Sequence, residues 1–277
     1  MTERPVTILA VSDTHCGGTT GLCPPEGAET DDGQRVLPSE DQVWLWEKWM
    51  ATMAETRAIR RFYKSDLRVI LNGDLVDGPG HHGTTQSMSL HPGVQDYIAR
   101  RCFAEITALK PDKVYVVRGT KSHTGPGGSE DAVAFALRAE RRGESKVWST
   151  QDIRIAIHGK LIEAAHHGKG LGRRPHTLQN GANAMAWEVA MRRTDRTLPI
   201  PDLVIRSHLH QFADSGRACR RVRAIYLPSF QLKTDYAWQI DPDSVEEVGG
   251  LLVTVFPDDR AIDVHPVLFE KPLSQEV

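Results

Sequence analysis

The chain has 277 residues and a mass of 30.8 kDa, room for one large domain or two small ones. Its 34 basic side chains are balanced by 36 acidic ones, a formal charge of −2, which excludes a uniformly basic nucleic-acid-coating surface but leaves a local basic groove open. Mean hydropathy is −0.38 and no apolar run approaches the roughly 20 residues of a membrane helix, so no membrane partner is expected.

The polar start at residues 1–5 has no signal-peptide character and leads straight into a buried-strand candidate at 6–12, which stops at Asp13. A Gly/Pro/Thr-rich stretch at 17–38 is too long for an ordinary connection and reads as a functional loop or surface insertion. Ser39 then opens a helix as N-cap, with Gln42 completing a capping box. Glu40 and Asp41 suit the positive end of that helix, and Arg57, Arg60 and Arg61 its negative end. Val43, Trp46, Met50 and Met53 recur at helical spacing and mark the expected buried face; Trp44, Trp46 and Trp49 read as packing. A second strand at 67–71 ends in Asn72-Gly73-Asp74. A helix at 94–109, carried by Val94, Ile98, Cys102 and Ile106, leads to a third strand at 114–117 that ends in Arg118-Gly119-Thr120. This alternation implies a parallel sheet with right-handed crossovers, and ligands bind beyond the carboxyl ends of such strands.

After a helix capped by Ser129, strands at 153–157 and 161–165 flank His158-Gly159 as a hairpin and run into His166-His167-Gly168. A helix at 179–193 precedes a strand at 203–206, which ends in Ser207-His208-Leu209-His210. Strands at 222–227, 251–256 and 262–268 make the second half mostly β. Two packed sheets with helices outside, an α/β (α+β) class, is the economical architecture. No internal repeat is visible. Four cysteines are too few for a disulfide scaffold, Cys16 and Cys23 read as free thiols, and a cytoplasmic location is expected.

Polar blocks therefore stand at five strand ends: Asp13-Thr14-His15, Gly73-Asp74-Leu75-Val76-Asp77, Gly119-Thr120-Lys121-Ser122-His123, His166-His167-Gly168 and His208-Leu209-His210. Carboxylates and imidazoles ligate divalent transition metals, and imidazole argues against a pure magnesium or calcium site. The i, i+2 pairs Asp13/His15 and His208/His210 can each aim two side chains at one ion if the backbone turns just past the strand. One such triplet arises easily by chance. Five in order at strand ends do not.

This order of blocks resembles the calcineurin-like metallophosphoesterases, whose pattern is D-x-H, G-D-x-x-D, G-N-H, H-G and G-H-x-H. The resemblance runs from Asp13 to His210. It implies two packed mixed β-sheets flanked by helices, a four-layer sandwich, in one catalytic domain over 1–277 with a loop and helix inserted at about 16–64. It also implies two divalent transition-metal ions, manganese first, with iron, zinc or nickel open. Asp13, His15, Asp74 and His210 would hold one, and Asp74 would bridge to a second held by His167 and His208. The third block departs from the pattern: either Thr120 or Ser122 replaces the family's Asn ligand, with Thr120 preferred, and His123 takes the place of the histidine that serves the leaving group. Ser207 replaces the Gly of the fifth block. Asp77 is expected to orient a ligand, and His166 to stand behind His167. Arg118, Lys121, Arg206 and His82, with His81 beside it, are the substrate-binding candidates.

The implied reaction is hydrolysis of a phosphate ester by a metal-bridging hydroxide, with Asp74 and His123 as catalytic residues. Gly78 directly after Asp77 and the lack of G-N-H-E disfavour a protein phosphatase. Only 67 residues follow His210, and they are needed to finish the sheet rather than to form a nuclease cap. A small phosphodiester, a nucleotide or cyclic nucleotide, is the expected substrate. The runner-up is a nuclease, for which Arg173, Arg174, Arg192, Arg193 and Arg196 form a basic segment. A non-catalytic protein-interaction scaffold is the reading to which the missing Asn points and which the six retained Asp and His ligands oppose. The 16–38 loop is similar to insertions in phosphoesterases encoded by bacteriophages and prophages.

Overall fold

The first strand, β1 (Val6–Val11), is buried along its whole length, and its alternating side chains feed two different cores. Val6, Ile8 and Ala10 face one layer; Leu9 and Val11 face the other. The computed structural model describes residues 3–30, 32–78, 86–89, 91–124, 128–171, 177–240, 242 and 247–271. A short hairpin follows β1, made by β2 (Ala28–Glu29) and β3 (Arg35–Val36), and then α1 (Glu40–Tyr63), β4 (Asp66–Asn72), α2 (Pro92–Ala108) and β5 (Lys113–Val117). Helices α3 (Lys121–Thr124) and α4 (Gly128–Ala136) lead to the hairpin β6 (Asp152–Ile157) and β7 (Lys160–Ala165). The remainder is α5 (Leu178–Asp195), β8 (Leu203–Arg206), β9 (Ala213–Asp214), β10 (Arg223–Tyr226), α6 (Asp235–Ile240), β11 (Glu247–Val255) and β12 (Asp263–Glu270).

Two five-stranded sheets result, ordered β12-β11-β1-β4-β5 and β6-β7-β8-β10-β9. Strands β1, β4 and β5 run parallel, as do β7, β8 and β10; β11, β12, β6 and β9 pair antiparallel with their neighbours, so both sheets are mixed. Between them Ile8, Ala10, Ile70, Leu251 and Val253 pack on Ile155, Ile162, Leu203, Ile205 and Ile225. On the outer face of the first sheet, Leu9, Val69, Leu71 and Val116 meet Leu45, Trp49, Met53, Ile98 and Phe103 from α1 and α2. On the outer face of the second, Val204, Ala224 and Tyr226 meet Ala182, Met185 and Ala186 from α5. This is the expected four-layer architecture. Among the described residues no helix is long and apolar enough to cross a membrane.

The elements that periodicity missed, β2, β3, β9, α3 and α6, are two to six residues long, too short to show a period. Ser129 lies inside α4, one residue past its start, instead of capping it. In α1 the expected buried face is rotated. Gln42, Leu45, Trp49, Thr52, Met53 and Thr56 are buried, whereas Val43 is exposed and Trp44, Trp46 and Met50 are half-buried. Counting apolar residues failed because half of that stripe is polar and satisfied: Gln42 Nε2 donates to Gly18 O and Gly21 O, and Thr52 and Thr56 donate to the preceding turn.

The capping box itself is present. Gln42 N donates to Ser39 Oγ at 3.2 Å, and Ser39 N donates to Gln42 Oε1 at 3.1 Å. Ser39→Ala should therefore cost about 1 kcal/mol in chemical denaturation, with the midpoint lowered and the slope unchanged.

Candidate metal centre

Past their last residues β1 and β4 stay zipped together. Asp13 N donates to Gly73 O at 2.9 Å, His15 N to Asp74 O at 3.0 Å and Cys16 N to Leu75 O at 3.0 Å. Asp13, His15, Asp74, His208 and His210 have φ of 50°, 40°, 50°, 75° and 54°. Left-handed backbone costs a non-glycine residue on the order of 1 kcal/mol or more, and here it falls on five proposed ligands. It is the turn that lets residues i and i+2 face one point. Glycine clears the space behind them. A Cβ on Gly73 would come within 2.4 Å of His166 Nδ1, and one on Gly119 within 2.0 Å of Asp74 Oδ1 and 2.2 Å of Asp74 N. Gly119→Ala is thus expected to displace Asp74 and lower metal affinity roughly 10- to 100-fold, the scale of an outer-shell lesion, by calorimetric titration.

The side chains form one continuous cluster. At one end Asp13, His15 and His210 offer donor atoms within 4.8 Å of one another, with His210 Nε2 3.3 Å from Asp13 Oδ1. At the other end His166, His167 and His208 do the same. Asp13 and Asp74 lie between, joined by His166, whose Nε2 is 2.9 Å from Asp74 Oδ2 and 3.9 Å from Asp13 Oδ1. Thr120 donates to Asp74 twice, from N at 2.6 Å and from Oγ1 at 3.1 Å. Ser122 Oγ is buried with no hydrogen-bond partner and makes none of these contacts. His123 stacks edge-on against His15, centroids 4.5 Å apart, and its Nδ1 lies 2.7 Å from Asp77 O. Asp77 Oδ2 accepts from Ser87 Oγ at 2.6 Å, and its Oδ1 stands 3.6 Å from His15 Nδ1, beyond hydrogen-bond length.

Buried polar atoms almost always have partners, yet Asp13 Oδ1 and both ring nitrogens of His15 have none. All three belong to proposed ligands, and a divalent cation is the partner their chemistry asks for. Burial opposes ionisation of both carboxylates. His166 and His210 outweigh it at Asp13, and hydrogen bonds from His166 and His208 hold Asp74 well below the usual range. His15 is lowered chiefly by burial, and His167 by burial and then by His166 and His208. Ionised carboxylates and neutral imidazoles are the forms that bind a metal. His166 differs: burial opposes its charge, but Asp13 and Asp74 prevail and raise it to about 9. Without a cation it is an imidazolium between two carboxylates.

Several substrate-binding candidates are placed elsewhere. Arg206 lies on the outer face of its strand, 8% exposed, donating to Glu163 Oε1 at 2.9 Å. A β-strand alternates faces, so Ser207, not Arg206, turns inward. Arg118 is committed to Ser149, with Nε donating to its Oγ at 2.9 Å. Lys121 is exposed at the start of α3. His81, His82, Arg173 and Arg174 lie outside the described residues. Arg192 pairs with Glu188, and Arg193 with Glu163 at 2.5 Å, so that basic segment is partly spent on structure.

Three supporting residues escaped the sequence reading. Asn72 Nδ2 donates to Ala165 O at 3.1 Å and Ser207 Oγ at 2.9 Å, clamping the two sheets directly beneath the cluster. Ser207, read as a mere loss of glycine, returns a bond to Asn72 O at 2.8 Å. Glu130 is fully buried and accepts from Gly119 N at 2.8 Å and Leu75 N at 3.4 Å, tying together the loops that carry Thr120 and Asp74. In the sequence it is only an acidic residue in a first helical turn.

No protein-family profile and no curated protein matches the chain. Among solved structures it is similar to Vps29 of Chaetomium thermophilum, with 10% identity over 96% of this chain and 98% of that one and a TM-score of 0.39. It is similar to an archaeal phosphodiesterase, with 11% identity over 94% and 99% and a TM-score of 0.39. A third is the NAD nucleotidase NadN of Haemophilus influenzae, 12% identical over 96% of this chain and 50% of that one, with a TM-score of 0.40. Such likenesses concern the fold alone and say nothing of activity. Two mixed five-stranded sheets between helices, with Asp and His blocks gathered at the strand ends, are the arrangement that the resemblance of the sequence blocks implied.

Proposed function

We propose that the chain is a divalent-metal-dependent phosphoesterase acting on a small phosphodiester, a nucleotide or cyclic nucleotide. The observation that carries this is the cluster of Asp13, His15, Asp74, His208 and His210 on left-handed backbone, with ligand atoms left unpartnered in a buried site. Asp13, His15, Asp74 and His210 would hold one ion; Asp74, His167, His208 and Thr120 a second. Bound ions would supply positive charge to the phosphoryl oxygens and lower the pKa of an attacking water. His123 offers Nδ1 to Asp77 O, which leaves Nε2 as the atom that, in the imidazolium, would hand a proton to the departing alkoxide and leave the ring neutral. Asp77 fixes that ring through its backbone carbonyl. Arg118 and Arg206 are occupied by Ser149 and Glu163, so neither guanidinium is turned to the cluster, and a singly charged diester suits this better than a dianionic monoester.

The cation-free chain should be assayed with Mn²⁺, and in parallel with Zn²⁺, Fe²⁺ and Ni²⁺, against bis(p-nitrophenyl) phosphate and p-nitrophenyl phosphate. Turnover of the diester in excess of the monoester is expected. Failure of every metal with both substrates would sink the hydrolase reading in favour of an interaction scaffold. A labelled oligonucleotide digest then separates a nuclease from a small-molecule esterase.

A further inference from the structure

Beside His167, the histidine that the sequence pattern favours, stands His166, whose geometry is that of a ligand. A carbonyl only accepts, so the contact of 2.7 Å between His166 Nδ1 and Asn72 O places a hydrogen on Nδ1. The lone pair of the neutral ring is then on Nε2. That atom points between Asp74 and Asp13, on a ring 1% exposed. Ser207 Oγ, 3.0 Å from Nδ1, closes the ring in from behind. A backbone carbonyl on the distal nitrogen is the usual support of a metal-bound histidine.

We infer that His166 is itself a metal ligand and that, with His167 and His208, it makes the second cation position a three-histidine site favouring zinc or another late first-row metal over manganese. The inference rests on the metal centre proposed above and deepens it. His166, His167 and His208 each offer a ring nitrogen within 4.8 Å of the other two. Thr120 Oγ1 is 3.5 Å from His166 Nε2, 3.2 Å from His167 Nε2, 3.3 Å from His208 Nδ1 and 3.1 Å from Asp74 Oδ2. Donors at about 2.1 Å from a shared tetrahedral ion are separated by about 3.4 Å, so Thr120 Oγ1 stands from each of these atoms at the spacing of a fellow ligand. Three imidazoles, one carboxylate and the Thr120 hydroxyl form a nitrogen-rich set. Nitrogen ligands discriminate along the Irving–Williams order, in which manganese is weakest, whereas oxygen ligands suit manganese.

The direct test uses the intact chain, labelled with ¹⁵N-histidine and loaded with ¹¹³Cd²⁺. Scalar coupling to cadmium is expected at Nε2 of His166 as well as at His167 and His208. Coupling at His167 and His208 without His166 overturns the inference. Zinc and manganese titrations of the wild type and of His166→Gln supply a second readout. Wild type should bind Zn²⁺ more tightly than Mn²⁺ at the position these histidines form. The variant should lose at least tenfold in Zn²⁺ affinity at one position and keep the other. An unchanged zinc isotherm, or tighter binding of manganese by the wild type, counts against it. The coupling needs no substitution, so a poorly folded variant does not blunt the test. Binding through His166 without any ester turnover would sink the hydrolase reading and leave the ligand assignment standing.

Discussion

Asp74→Asn is expected to abolish metal-dependent turnover while the fold persists. Asp74 is buried at the centre of the cluster, where Oδ1 accepts from Thr120 N at 2.6 Å and Oδ2 accepts from Thr120 Oγ1 at 3.1 Å and faces His166 Nε2 at 2.9 Å. An amide of the same shape fills the space but turns an NH2 toward a donor, and it removes one of the two carboxylates that the proposed ligands contain. Loss of an outer hydrogen-bonding partner lowers metal affinity roughly 10- to 100-fold, and loss of a residue that would itself hold the metal should exceed that. Calorimetric titration should show weakened or absent binding, and diester hydrolysis should fall below detection, with far-UV circular dichroism unchanged. A variant that keeps a tenth of wild-type turnover would show that the reaction does not occur at this cluster.

The second large effect concerns Glu130 and pH. Burial, and then the neighbouring charge of Asp74, pushes its carboxyl from 4.5 up to about 8. Between those values the native state holds a proton that the unfolded chain has released, so stability falls as pH rises. Glu130's contribution is complete below about pH 4.5 and is lost as pH climbs through 8, by at most ~1.4 kcal/mol per pH unit. Glu130→Gln cannot ionise but keeps a carbonyl oxygen for Gly119 N. Denaturant unfolding in chelator at pH 5.5, 7 and 8.5 should therefore show a steeper decline in the wild type than in the variant. The variant keeps His166, so the difference between the two proteins reports Glu130 together with its coupling to that imidazole. Parallel profiles would mean that Glu130 is ionised throughout. Saturation with a divalent cation, which offsets the charge of Asp74, should flatten the wild-type curve.

Much of the layout was legible because its signals are local. β8 was readable as Leu203–Arg206 since a short apolar run there meets Ser207 and His208. The start of α1 was readable since a capping box needs only Ser39 and Gln42. The same rules misplaced the buried face of α1, where Gln42 and Thr52 are inside because partners elsewhere satisfy them. They also put Arg206 near the substrate on sequence adjacency alone, though its partner is Glu163, 43 positions away on β7.

Where strands stop, and which Asp and His residues stand at those stops, follows from the local order of residues, because strand termination and capping are settled within a few residues. Which side chains meet follows from packing. The contact of His208 N with Asp13 Oδ2 spans 195 positions, and that of His166 with Asp74 spans 92. Such pairings arise when two sheets pack face to face and bring their carboxyl ends to one place. No spacing along the chain encodes that Glu130 will tie Gly119 to Leu75, or that Asn72 and Ser207 will hold the His166 ring with Nε2 toward Asp74.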